Sequence, residues 1–273
     1  EYDFGICCSY KKNRFKKMNC FAFDIETIPD IDFGREQMNL DGLSDKDIGN
    51  TMLFSHKQKT DSDILSLCQH RIVAISVALR KDDGFKVWSL GDITSEEPEL
   101  IKRFFAGIDK YTPTLLSWNG SGFDLPVLHY RALRHRVQAK KYWETGTRDK
   151  NFRFNNYLSR FHDRHIDLMD VLSGYQPRGR ASLDQIANML GFPGKLGMSG
   201  DKVWPCWLDG KIQEIRDYCE TDVLNTYLVY LSFEFMRGNL TENELNDEHA
   251  IIRESLESEK KDHLDEFLSV WKK

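Results

Sequence analysis

The chain has 273 residues, with 38 lysines and arginines against 43 acidic residues and a formal net charge of −5. Its 40% apolar content, with glycine adding about 7%, is ordinary for a globular protein and excludes a disordered or fibrous chain. The longest clean apolar run, Ile72 to Leu79, fits a strand and is far too short for a membrane span. No secretory signal precedes the first strand, and no cysteine pair has C-x-x-C spacing, so a cytoplasmic protein with reduced thiols and no membrane partner is expected. The net charge hides a gradient. Residues 131–164 hold ten basic and three acidic residues, whereas 241–273 hold five basic and ten acidic. The basic run is either a solvated face or a footprint for a polyanion.

Along the chain, CFAFDI (20–25) reads as a buried strand. The stretch 32–69 is long and polar, with room for a short helix, and suits either a lid or a disordered connection. RIVAISVAL (71–79) and FKVWSL (85–90) flank Asp83-Gly84 and predict a hairpin. A helix is expected over 96–108, a strand over 114–118, a helix over 124–137 and a fifth strand over 165–172. Ser182 caps a helix ending at Gly191, Trp204 and Trp207 fall in a loop, and a long helix covers 212–236. Beyond Thr241 the pattern reads as a helical tail, weakly docked or frayed. The pattern predicts an α/β fold, a mixed sheet with helices on both faces.

Three segments present carboxylates in a constrained setting. Asp24 and Glu26 sit at i and i+2 of a strand and project from one face, where they repel each other unless a cation intervenes. All-oxygen ligation suits Mg²⁺ or Mn²⁺. Asp124 follows Asn119-Gly120-Ser121-Gly122-Phe123 at a helix start, either as a plain cap or as a ligand. Tyr218 and Asp222 stack one turn apart inside an apolar helix, where Asp is a poor choice unless it faces solvent or has a function.

D-x-E at the end of a first strand, N-x-x-x-F-D after a fourth and Y-x-x-x-D on a late helix resemble the three motifs of the DEDD exonuclease superfamily, tyrosine subtype. FDIETIP, ASLDQIANMLGFPGK and IRDYCETDVLNTYLVYL are also similar to the exonuclease domain of family B DNA polymerases. The resemblance implies a ribonuclease H-like five-stranded mixed sheet. It divides the chain into an appendage (1–18), an exonuclease domain (19–238) and an acidic tail (239–273), and leaves no room for a polymerase, hence a stand-alone enzyme.

It also implies a chemistry. Asp24, Glu26, Asp124 and Asp222 would hold two Mg²⁺ or Mn²⁺ ions about 3.5–4 Å apart. Tyr218 would orient the attacking water, and nucleoside 5′-monophosphates would leave the 3′ end of single-stranded DNA. RNA as substrate, or an inactive nucleic-acid-binding module on the same fold, are the alternatives. Thr27 and Ile28 would contact the terminal nucleotide, and Asn119 and Phe123 its sugar or base. Lys195 would meet phosphate unless it is a solvated loop lysine. Asp167 and Asp170 are rival acids, with Asp167 expected near the sheet end and neither as a primary ligand.

Overall fold

A computed structural model describes residues 19–272; the 1–18 appendage lies outside the described residues. Five strands form one sheet: β1 (Cys20–Pro29), β2 (His70–Lys81), β3 (Gly84–Ser89), β4 (Thr114–Ser117) and β5 (His165–Asp167). Their spatial order is β3-β2-β1-β4-β5. β1–β2 and β2–β3 are antiparallel, whereas β1–β4 and β4–β5 are parallel, so the sheet is mixed. The hairpin between β2 and β3 turns at Asp82-Asp83, as the D-G signal predicts.

Side chains alternate across the sheet because a strand has a period of two. Cys20 and Ala22 of β1 join Ala78, Val87 and Leu116 under helix α8 (Ile212–Met236). Phe21, Phe23 and Ile25 point the other way, with Ile75, Val77 and Leu115, against α3 (Glu97–Tyr111) and α4 (Asp124–Arg134). Helices therefore cover both faces, a ribonuclease H-like α/β architecture.

The stretch 32–69 is neither a disordered connection nor a bare loop. It forms α1 (Ile31–Met38), capped by Asp30, and α2 (Asp45–Thr60), capped by Ser44. Ile48 and Met52 pack with Ile28 of β1 and Trp204. A Cβ on Gly49 would lie 2.4 Å from the Trp204 indole, so glycine lets α2 approach that ring. Trp204 and Trp207 lie in helix α7 (Val203–Leu208), not in a loop. The fifth strand stops at Asp167. Its carboxylate accepts from the Asp170 N–H and caps a short helix, α5 (Leu168–Leu172), where a strand was expected. Ser182 caps α6 (Leu183–Met189) with a reciprocal Gln185 bond.

The acidic tail is neither frayed nor weakly docked. Thr241 and Glu244 form a capping box that starts α9 (Glu242–Glu259), and α10 (Asp262–Val270) follows. Ile252, Leu256, Leu264, Phe267 and Trp271 are buried in the same core as α8. Among the described residues, no helix is long and apolar enough to cross a membrane.

Candidate active site

β1 passes through the centre of the sheet, and its middle residues bring acids to the α8 face. Asp24 is partly exposed and Glu26 is buried. The pairing with β2 slips between Glu26 and Thr27, which bends the strand just past the two acids. Asp124 is the first residue of α4. Its Oδ1 accepts the Ile25 N–H across 3.1 Å, so its side chain serves β1 rather than capping its own helix. Tyr218 and Asp222 come from α8, both buried. The Cys219 thiol between them donates to the Asp24 carbonyl (3.4 Å) and carboxylate (3.5 Å).

The electrostatics bind these groups into one set. Burial, then the charges of Asp124, Glu26 and Asp222, raises the Asp24 carboxyl well above its usual range. Glu26 is raised by burial and by Asp222 and Asp124, with Lys195 opposing. Burial lifts Asp124 to about 7 and Asp222 to about 6. Burial and the neighbouring Asp222, Glu26 and Asp24 charges push the Tyr218 phenol up, so it stays protonated. Ligand atoms of Asp24, Glu26 and Cys219 lie within 4.8 Å of one another. Buried oxygen donors that repel one another suit a hard divalent cation. The Asp24 and Glu26 oxygens therefore fit a divalent cation.

The five proposed substrate residues divide. Lys195 is exposed and reaches the acids, its Nζ 5.9 Å from the Tyr218 ring centroid. Its turn is fixed from α6 and α8: Asp184 accepts the Lys195 N–H, and the Asn225 side chain bonds both the N–H and the carbonyl of Gly194. The Thr27 hydroxyl is 2.8 Å from His70 Nδ1. Phe123 is half-buried and meets the His70 ring edge-on at 5.1 Å. Asn119 adopts the left-handed conformation (φ 63°) in a loop so tight that a Cβ on Gly122 would meet its Oδ1 at 2.6 Å. Ile28 is different. Its side chain is 1% exposed and packs inward with Ile31, Ile48 and Met52, so it offers a terminal nucleotide no side-chain surface.

Two supporting groups escape a reading of motifs. His70 touches both Thr27 and Phe123 and bonds the Leu65 carbonyl, yet nothing in its local sequence marks it. Glu220 points away from the acids and accepts from Ser89, Lys261 and His263, tying α8 to β3 and the tail. Asp167 sits at the sheet end, where its two oxygens accept the Asn119 and Ser121 N–H groups (2.9 and 2.8 Å) and hold the loop before Asp124. Asp170 pairs with Arg180. The basic run is also smaller than its count suggests, because Arg131 is buried against Asp30 and Glu97.

A mixed sheet with an acid cluster at the end of its central strand defines the class, an exonuclease-type ribonuclease H-like domain. Residues 62–271 match the family described as predicted 3′–5′ exonucleases related to the exonuclease domain of PolB, and the chain belongs to that family. The match contains Asp124, Tyr218 and Asp222 and begins after β1, so Asp24 and Glu26 join them through the fold alone. The chain is also 25% identical over 161 residues to a DNA polymerase of Archaeoglobus fulgidus. That alignment spans 58% of this chain and 19% of the polymerase.

Proposed function

We propose that this protein is a tyrosine-subtype DEDD exonuclease that shortens single-stranded DNA from its 3′ end and releases nucleoside 5′-monophosphates. The observation that carries the reading is convergence: the Asp124 carboxylate of α4 bonds the backbone of β1 beside Asp24, and the charges of Asp124 and of Asp222 on α8 both raise Asp24 and Glu26. Asp24, Glu26, Asp124 and Asp222 are the residues to hold two divalent cations, Mg²⁺ or Mn²⁺. Such ions, when bound, activate water and neutralise charge at the leaving oxygen.

The chain's own groups do the rest. The carboxylates are ionised when they serve as ligands, which ties activity to pH above their raised range. Tyr218, held protonated, is a hydrogen-bond donor and acceptor that orients the attacking water; it is not the base. Lys195 places a positive charge next to the phenol, where a phosphate oxygen would lie. Thr27, Asn119 and Phe123 border the same end of the sheet and would steady the terminal nucleotide.

Matched 3′-terminal DNA and RNA oligonucleotides incubated with Mn²⁺ test the reading. Monophosphate release from DNA is expected, with Asp24→Ala slowing it by about 10²–10³-fold or more. Equal digestion by Asp24→Ala removes the metal-site assignment. Faster decay of RNA reverses the substrate order, and binding without hydrolysis of either leaves a nucleic-acid-binding module.

A further inference from the structure

We propose that the β5 edge of the molecule carries a stacking platform for single-stranded nucleic acid, built from Phe154, Phe161 and Tyr175 with their arginines. The assignment rests on the exonuclease reading for the polarity of the strand, with the 3′ end at the acids and the body of the strand on the platform.

The segment 142–164 is held firmly from below. Tyr142, Phe152 and Tyr157 are buried. The Tyr157 hydroxyl donates to the Pro113 carbonyl (2.7 Å). The Arg164 guanidinium lies 4.1 Å from the Phe152 ring centroid and donates to the Asn155 carbonyl. The Asn156 side chain accepts the N–H groups of Leu158 and Ser159. On this floor the remaining aromatics turn outward: Phe154 is 81% exposed and Phe161 is 80% exposed. A loop fixed from beneath that displays two phenylalanines to water gains nothing in stability from them.

Each displayed ring has a guanidinium beside it. Arg153 lies 5.5 Å from the Phe154 centroid, and Arg160 lies 4.9 Å from Phe161 and 5.4 Å from Tyr175. Tyr175 takes the left-handed conformation (φ 60°), costly for a bulky residue, and its hydroxyl donates to the Arg160 carbonyl at 3.1 Å. Arg148 and Lys150 are exposed in the same segment, and Arg178 is exposed three residues after Tyr175.

Alternating rings and cations match one chemistry best. Bases of any sequence stack on rings, while phosphates pair with arginines. An acidic protein would use the charges and leave the phenylalanines without a role. The place also fits. β5 is three residues long, roughly 10 Å, and ends at Asp167, which holds the Asn119–Ser121 loop beside Asp124. Phe154 and Phe161 precede β5 and the acids lie beyond its end, so a bound strand has about the 10 Å length of β5 to cross between them.

The test is fluorescence anisotropy of 5′-labelled oligothymidylates, sixteen and three nucleotides long, with EDTA present to stop turnover. Phe154→Ala/Phe161→Ala/Tyr175→Ala is expected to weaken the sixteen-mer by about tenfold or more and the trimer hardly at all. Its melting temperature and its hydrolysis of the p-nitrophenyl ester of thymidine 5′-monophosphate are expected to match the parent. Unchanged sixteen-mer affinity, or equal loss for both lengths, overturns the platform. So does displacement of the sixteen-mer by poly-glutamate at matched charge, which would mark a site for acidic protein. Photocrosslinking of a 5-iodouridine oligonucleotide to the unmutated chain is an independent check: adducts at these three rings support the assignment, and adducts only elsewhere defeat it. Intact sixteen-mer binding that depends on the rings, without hydrolysis of either substrate, upholds the platform and rejects the exonuclease reading alone.

Discussion

Asp24 and Glu26 cannot be discharged independently of Asp124 and Asp222, whose charges add to burial in raising both. With Asp222 held near 6 and Asp124 near 7, against a free carboxyl near ~3.9, the folded chain retains protons that the unfolded chain has lost. Stability from these acids is therefore full below about pH 4 and falls as pH rises toward 7. His129 and His165, both pushed down to about 4 by burial, act in the opposite sense over pH 4–6.5. The clean observable is thus the difference made by a cation. Added Mn²⁺ is expected to raise the melting temperature by several degrees at pH 8 and by much less at pH 5, at about 2–4 °C per kcal/mol for a chain of this size. An equal rise at both pH values would count against binding at the acid cluster. Tyr218→Phe keeps the ring and removes the hydroxyl. Steady-state kinetics are expected to show kcat lowered about tenfold or more with oligonucleotide affinity unchanged. The pairing of Asp24 with Glu26 and of Tyr218 with Asp222 was legible from strand and helix periodicity, and Asp124 from its place at a helix start. His70 was not, since its partners Thr27 and Phe123 are remote in sequence and a lone histidine has no periodicity.

At the level of elements, α8 is a two-sided beam. Tyr218 and Asp222 face the acids, while Glu220 is clamped to β3 and to the tail by Ser89, Lys261 and His263. Burial alone would raise the Glu220 carboxyl, but the His263 hydrogen bond and the Lys261 charge overcome it and hold it down to about 2. Its contribution is therefore present above the ordinary carboxyl range and is lost only as pH falls from about 4.5 toward 2. Lys261→Ala with His263→Ala strands this carboxylate and is expected to cost about 3 kcal/mol, read as a lowered denaturant midpoint. Asp167→Ala frees two N–H groups in the loop before Asp124. It is expected to lower stability by about 1–3 kcal/mol and slow hydrolysis, checked by chemical melts and kinetics. The hairpin and α8 were readable from Asp83-Gly84 and from a long apolar run. α2 was hidden because only Ile48 and Met52 of its apolar positions reach the core fully, too few for a clear period. α5 was hidden because Leu168–Leu172 is apolar enough for a strand, and only the Asp167 cap decides otherwise.

For the whole molecule, the tail is part of the core. Ile252, Leu256, Leu264, Phe267 and Trp271 are each 4% exposed or less. At about 1.5–3 kcal/mol per large apolar side chain, their burial rivals the net stability of about 5–15 kcal/mol typical of a domain. Removing residues 239–273 is expected to abolish cooperative thermal unfolding and produce aggregation, monitored by calorimetry and light scattering. The tail reads in sequence as weakly docked or frayed, yet Ile252 and Leu256 of α9 are buried, and Glu248, one turn before Ile252, is buried with them against Arg80. Composition averages over both faces of a helix, and only packing separates them.

β1 carries two of the four acids, pairs on both sides, and lies near the beginning of the chain, whereas α8 supplies Asp222 near the end. A ribosome therefore releases Asp24 and Glu26 long before Asp222. An acid cluster drawn from both segments is complete only once α8 has been made and has packed against β1.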